Sequence, residues 1–418
     1  MMISYGEGVC DMQWLRGVRG NARGCLIYEP MFILPYSLYT TYATVYMLRL
    51  GVSTTQIGMV TSLGMILQLF SSAASGQLTD RLGRRRALLL FDLVSWSVTT
   101  FIWMVSANVW FFVVAAFFNS FQKIPNTAWY CLLIEDTEVR DRAQVFTALQ
   151  LIVVASGLFT PLGGLLIAHM KLVPAVRIMY GLAFVGMTAM FFLRNRAVHE
   201  TAVGVRQMAV ARGVTMRTVV RQHAAVIREI FSDRRVVAVF AVYVLNNFQA
   251  VLVTTFLSVY LVSDLGIQAA WIALFPAIAS AVTLLLVYFV IPRLPQHHAE
   301  RHVAAGFLLS LVASLLLIAA PRHAIGYMAV TATLSAAGAV IANPFLEALT
   351  ANVIRDEERA KFTSVLAVLI LLFTWPAGLI GGIAYAQNPR LTFALVACVL
   401  AIGAAIVLTA RGMRVRGA

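Results

Sequence analysis

The sequence predicts an all-α integral membrane protein with twelve transmembrane helices arranged as two pseudo-symmetric six-helix bundles. Three observations lead there. The 418 residues are 60% hydrophobic and only 12% charged, with a mean hydropathy of +0.83, whereas soluble domains carry about a quarter of their residues as charges. The basic residues fall between apolar segments in an alternating pattern. Short stretches also recur at an offset of about half the chain.

About 20 apolar residues are needed per bilayer crossing. On that measure the spans run 27 to 49, 55 to 78, 87 to 105, 109 to 133, 144 to 168 and 176 to 194, then 235 to 262, 269 to 292, 303 to 320, 325 to 349, 362 to 386 and 390 to 410. Arg16, Arg19 and Arg23 precede the first span. No small-residue cleavage site follows a short apolar core there, so a removed signal peptide is not expected. Of the 32 lysines and arginines, 26 lie in the N-terminal stretch, the even-numbered connections and the C-terminal stretch. Five lie in the odd-numbered connections and one, Lys123, inside a span. Basic residues stay on the cytoplasmic side of short loops, so both termini are expected in the cytoplasm of a multi-pass protein, here of a bacterial inner membrane. The net charge of +14 therefore reports topology, and no nucleic-acid partner is expected.

The long polar interval 195 to 234 separates an N-terminal bundle, 1 to 194, from a C-terminal bundle, 235 to 418. Within it Arg217, Arg221 and Arg228 alternate with Val220, Ala224, Ile227 and Phe231 at helical spacing. That reads as a basic amphipathic helix, resting on the inner membrane face or binding a regulatory partner. Cys10, Cys25, Cys131 and Cys398 show no paired spacing and no histidine falls in a span, so neither disulfides nor a metal site is expected.

The two halves repeat. T-T-Y-A-T-V-Y-M at 40 to 47 recurs as T-T-F-L-S-V-Y-L at 254 to 261, and R-A-Q-V-F-T-A-L at 142 to 149 as R-A-K-F-T-S-V-L at 359 to 366. Asn126 corresponds to Asn343. Equal orientation of both halves makes them parallel repeats about an axis along the membrane normal.

Between the second and third spans lies G-Q-L-T-D-R-L-G-R-R-R-A-L, residues 76 to 88. Its glycines suit a tight turn between helices, and Asp80 suits a helix N-terminus. Through Gly76, Leu78, Asp80, Arg81, Gly83, Arg84 and Arg85 the chain resembles the major facilitator superfamily. The resemblance implies two bundles rocking about a central cavity, alternating access, and a latch made by this loop with neighbouring helix ends. Glu135 and Asp136 are the acidic candidates for Arg81 or Arg84. The second half keeps Arg293 and Arg301 but has no loop aspartate, so the latch is expected on one side only. In the fourth span, where proton-driven exporters of the family carry R-x-x-Q-G, this chain has Asn119, Gln122 and Lys123: the arginine is missing, and Lys123 could supply the positive charge one helical turn further on. G-L-F-T-P-L-G-G at 157 to 164 partly matches the family's antiporter motif.

Charged groups inside hydrocarbon are costly and normally face a cavity or a partner. Lys123 is mid-span; it either anchors an anionic substrate group, tunes a nearby carboxylate, or belongs to a structural pair. Glu29 is the natural proton carrier, although Pro30 suits the first position of a helix and would make Glu29 an interfacial cap. Glu347 is either an exchangeable site or an interfacial salt bridge. Asp92 is expected to join the loop arginines near Arg86, with proton carriage as the alternative. Asn246, Asn247 and Gln249 in the seventh span need partners in hydrocarbon and suit substrate hydrogen bonding. Asn119, Gln122, Asn126 and Asn343 extend that wall, with Tyr36 and Trp129 among the aromatics.

The first functional expectation is a proton-coupled exporter of small organic or amphiphilic compounds, acting as a monomer with no cofactor and driven by the proton gradient. The second is a proton- or cation-coupled importer of an organic anion anchored on Lys123. An integral-membrane enzyme or lipid-handling protein ranks last. No nucleophile motif is present, and no lysine is followed by Ser or Thr as a phosphate-binding loop requires.

Overall fold

The computed structural model describes residues 18–210, 231–295, 298–353 and 359–409. The expected amphipathic helix around Arg217, Arg221 and Arg228 lies outside them, as do Arg16 and the basic C-terminal stretch.

Helical rods occupy every span that the sequence predicts. In the first half α1 joins Gly20–Tyr28, Pro30–Thr40 and Ala43–Arg49, α2 is Thr54–Leu82 and α3 is Arg84–Met104. α4 joins Val109–Asn119, a 3-10 turn Ser120–Gln122 and Lys123–Ile134; α5 joins Val139–Gly157 and Pro161–His169; α6 is Leu172–Ala197. A short linker helix, Ala202–Val210, follows. In the second half α7 is Arg234–Asp264, α8 Ala269–Arg293, α9 Ala299–Ala319 and α10 Ile325–Val353. α11 joins Arg359–Thr374 and Pro376–Gln387, and α12 is Pro389–Thr409. Ten rods contain helices long and apolar enough to cross a membrane. α1 is interrupted at Glu29 and at Thr41–Tyr42, and α4 by its polar 3-10 turn.

Local chemistry accounts for the breaks. Pro30, Pro161 and Pro376 each begin a new helical piece, because proline lacks the N–H and clashes with the turn before it. At the start of α2, Ser53 and Gln56 exchange side-chain and backbone hydrogen bonds as a capping box, satisfying two otherwise orphaned donors.

The internal repeat survives as hydrogen bonding. The Tyr46 hydroxyl donates to the Trp103 carbonyl at 3.1 Å, and the equivalent Tyr260 hydroxyl donates to the Leu317 carbonyl at 3.4 Å. Both members of the pair shift by 214 residues.

The end of the bundle that carries the α2–α3 loop and the linker differs from the far end. At the far end α2 packs on α11, where Gly58 meets the Gly378 backbone, and α5 packs on α8, where Gly164 meets the Ala270 carbonyl. Thr160 Oγ1 donates to the Ala273 carbonyl at 2.9 Å. The main hydrophobic core runs through both halves, joining Tyr42, Tyr46 and Met179 to Phe256, Tyr260 and Ile272. Towards the linker end two smaller clusters stay separate, one around Leu26, Leu88 and Leu132 and the other around Phe240, Val365 and Leu369. Among the described residues the two halves thus share a core at the far end, while the buried clusters nearer the linker end each stay within one half.

Candidate functional site

Between the halves lies a cavity of about 660 Å³. The first half contributes Tyr36, Gln68, Asn119 and Gln122; the second contributes Thr254 and Ser258. Aromatic rings form much of the wall, with Tyr39–Tyr180 at 4.7 Å and Trp103–Tyr180 at 5.5 Å between centroids. Among the described residues none of the lining side chains is charged. The 3-10 turn in α4 aims its amides inward as a relay, Gln122 Nε2 donating to Asn119 Oδ1 at 2.8 Å and Asn119 Nδ2 to the Ser95 carbonyl at 3.1 Å. The Tyr39 hydroxyl is buried with no hydrogen-bond partner.

A second cavity of about 290 Å³ lies inside the C-terminal bundle and shares Val253, Leu257, Phe275 and Pro276 with the first. Gln249 stands on its wall among mostly apolar residues, with hydroxyls from Ser310, Ser314, Thr331 and Ser335.

A third, smaller cavity of about 100 Å³ collects charge: Glu29 from α1, Asp92 from α3 and Arg194 from α6, beside Asn126 and Trp129 of α4. Arg194 and Asp92 form a buried ion pair. Glu29 is 7% exposed and makes no cap hydrogen bond at the α1 break; its Oε2 and the Trp129 indole N–H face each other without closing a well-formed hydrogen bond. Asp92 therefore does not join the loop arginines. It lies more than two turns into α3, where the end of α6 passes, and Arg194 is the cation within reach. Arg194 escaped the sequence reading because it sits at the edge of the polar linker; two carboxylates entering from the same end without a nearby cation were the available signal. A π turn at Leu93–Ser97 follows Asp92 and carries Trp96, the kind of irregularity that often marks functional positions.

The remaining candidates divide. Lys123 is half-buried, does not line the central cavity, and pairs with no carboxylate among the described residues. The α7 amides form a ladder with α10 in which Asn246 Nδ2 donates to Asn343 Oδ1 at 3.2 Å and Gln249 Nε2 to Asn246 Oδ1 at 3.4 Å. Asn247 Nδ2 turns back to the Tyr243 carbonyl at 2.9 Å. Tyr243 donates to Glu347 Oε1 at 2.5 Å. Tyr243 is the repeat equivalent of Glu29, so the two halves each place a carboxyl against this position, from α1 in one and α10 in the other.

At the linker end Arg84 is 4% exposed. Its guanidinium donates to Asp80 Oδ1 at 2.8 Å and to Glu135 Oε1 at 3.2 Å. Asp136 instead accepts from Asn21 Nδ2 at 2.7 Å. Two expectations change here. Gly76 lies within α2, and only Gly83, with φ of +86°, makes the turn. Asp80 closes α2, while the N-terminus of α3 is served by Glu200 of the linker, which accepts the N–H groups of Arg84 at 2.9 Å and Arg85 at 3.0 Å. Glu135 also accepts from Thr201.

The family model described as Major Facilitator Superfamily matches residues 31–301. No curated protein matches the chain in sequence. Solved structures of similar fold include a variant of the nucleoside transporter NupG, at 13% identity, covering 93% of this chain and 99% of that one with a TM-score of 0.68. A peptide transporter POT variant in complex with alafosfalin matches at 16% identity, covering 98% and 100% with a TM-score of 0.70. The inward-open xylose transporter XylE from E. coli matches at 12% identity, covering 95% and 97% with a TM-score of 0.68.

Proposed function

The chain belongs to the Major Facilitator Superfamily, and from that premise we propose that this membrane transporter is a proton-coupled exporter of small organic or amphiphilic compounds. The central cavity carries the reading. Its wall offers aromatic faces, hydroxyls and amides with no charged side chain, a lining that suits a neutral or weakly polar solute. The adjoining apolar cavity in the C-terminal bundle would take a hydrocarbon arm of the same molecule, which supports an amphiphile.

Placing the basic linker end in the cytoplasm makes the sealed far end extracytoplasmic, so the conformation corresponds to substrate loading from inside. Proton coupling draws on Glu29, the buried carboxyl beside the cavity wall. The organic-anion importer has less support, since an anion would need a cation that the lining lacks and Lys123 stands outside it.

The test has two steps. A thermal-shift screen of neutral, cationic and anionic compounds finds a stabilising ligand, expected among the neutral and amphiphilic ones. Proteoliposomes loaded with a pH-sensitive dye then report proton movement against that ligand's gradient. Opposite movement of proton and ligand is expected; ligand transport with no proton movement overturns the coupling, and movement of both in one direction overturns export.

A further inference from the structure

We propose that Glu29, Asp92 and Arg194 form one proton-binding site, in which a single guanidinium serves two carboxyl groups in turn and a proton occupies the carboxyl it leaves. The proposal rests on the proton-coupled reading above and says which groups hold the proton.

Three helices bring these groups together around one cavity of about 100 Å³, roomy enough for ordered water. Arg194 is 4% exposed, Asp92 5% and Glu29 7%. The other polar groups that face Glu29 are neutral: Cys25 on α1, and Asn126 and Trp129 on α4. No further charged residue lines the cavity. Two carboxylates and one guanidinium leave one uncompensated negative charge, which is costly in a low-dielectric interior. One proton removes it. In the observed arrangement Arg194 is committed to Asp92, and Glu29 Oε2 is faced only by the neutral Trp129 indole, without a well-formed hydrogen bond, so Glu29 is the group that holds the proton.

The second arrangement uses the same atoms. Arg194 sits in the last turn of α6, its guanidinium carbon 5.5 Å from the Phe191 ring centre, on a long stem that can swing. When it turns to Glu29, the O–H bond of Glu29 breaks, the proton passes through cavity water, and an O–H bond forms on Asp92. Only O–H bonds change, and the site remains neutral before and after. Arg194 is thus a positioning residue that decides which carboxyl is protonated.

The site is connected to the central cavity by Trp96, which lines both. Trp96 stands four residues after Asp92 in the π turn, with Phe32 edge-on at 5.0 Å and Tyr36 at 5.8 Å. A ligand pressing on Trp96 acts on the turn that carries Asp92.

The test needs no substrate. Infrared spectra of the full chain in lipid, recorded at neutral pH, report the C=O stretch of protonated carboxyl groups. The unmodified protein is expected to show a Glu29 band, read as the difference from Glu29→Gln because Glu300 also buries an unpartnered carboxyl oxygen, and kept in the conservative Glu29→Asp. Asp92→Asn is the decisive variant: Arg194 turns to Glu29 and the band is lost although Glu29 is intact. Arg194→Gln, which frees both carboxyls, doubles the band. A full-strength band in Asp92→Asn, or in Glu29→Gln, overturns the proposal. Each variant is first shown to be folded by unchanged gel-filtration behaviour. Proton-coupled transport in a protein without the band would overturn this site and leave the export reading standing. The band pattern without proton-coupled transport would keep the site and remove that reading.

Discussion

The hydroxyl of Ser62 in α2 donates to the carbonyl oxygen of Trp375 in α11 at 2.6 Å, across the boundary between the two halves. The Ser62 hydroxyl oxygen in turn accepts the N–H of Leu379 at 2.8 Å. These are the two backbone groups that pair i to i+4 in a regular helix, met here just at the Pro376 break. One side chain thus joins the halves at a point where proline weakens the helix.

Replacing Ser62 by Ala should therefore loosen the far end. Two buried backbone groups lose a partner, at about 1–3 kcal/mol, enough to shift a two-state balance roughly tenfold. In a background without the native cysteines, Thr254→Cys reports the change, because Thr254 faces the central cavity. A membrane-impermeant thiol reagent applied from the far side should label it about ten times faster in the Ser62→Ala protein. An unchanged rate would show that the seal rests on the other far-end contacts, the close-packed glycines and the Thr160–Ala273 hydrogen bond among them.

Glu200 should be a structural anchor of the α2–α3 loop. Its carboxylate receives two N–H groups at the start of α3, where helix dipole and orphaned donors both favour an anion. Glu200→Ala should lower stability by about 1–2 kcal/mol, the upper range for a lost N-terminal cap, seen as a fall in thermal unfolding temperature. Glu200→Gln keeps one acceptor and should lose less. Equal losses in the two variants would argue that charge contributes and hydrogen bonding does not.

The fold was legible because its signals are collective. Hydropathy, alternation of arginines and the 214-residue repeat each average over many residues, and no single side chain can mislead them. The site was legible only in part. Gln122 and Asn119 were found because polar residues mid-span are conspicuous; Lys123 was equally conspicuous, yet a helical step of about 100° carries it off the cavity wall. Trp96, Tyr39 and Tyr180 form much of the wall but are indistinguishable by type from packing aromatics. Arg194 ended the sixth span and Glu200 lay in what reads as linker, and only three-dimensional packing brings them to Asp92 and to the α3 N-terminus.

The two repeat-related tyrosines should differ in worth. Tyr46→Phe removes a hydroxyl that donates at 3.1 Å to Trp103 and also accepts from Arg177 Nε at 3.4 Å. Tyr260→Phe removes one longer bond, 3.4 Å to Leu317, and an electrostatic contact with Arg390 that closes no well-formed hydrogen bond. A typical buried hydrogen bond contributes about 1 kcal/mol, and a partner that is charged raises this. Tyr46→Phe should therefore destabilise by about 1.5–3 kcal/mol and Tyr260→Phe by about 0.5–1 kcal/mol, measured by thermal unfolding of the purified protein. The reverse order would mean that Arg177 finds another acceptor once Tyr46 is gone; its Nη2 already donates to the Ser106 carbonyl at 2.9 Å.

Neighbouring residues of α4 should separate cleanly in ligand binding. Gln122 lines the central cavity and Lys123 does not, although only one peptide bond divides them. With a ligand found by thermal shift, Gln122→Ala should weaken binding by roughly tenfold, the loss of one hydrogen bond of about 1.4 kcal/mol. The relay partner Asn119 should behave alike, because Gln122 donates to it. Lys123→Ala should leave affinity within about twofold, since no direct contact is removed. Titration by calorimetry in detergent distinguishes these outcomes. A tenfold loss in Lys123→Ala, confined to anionic ligands, would instead place the lysine at the substrate and restore the organic-anion importer as the better reading.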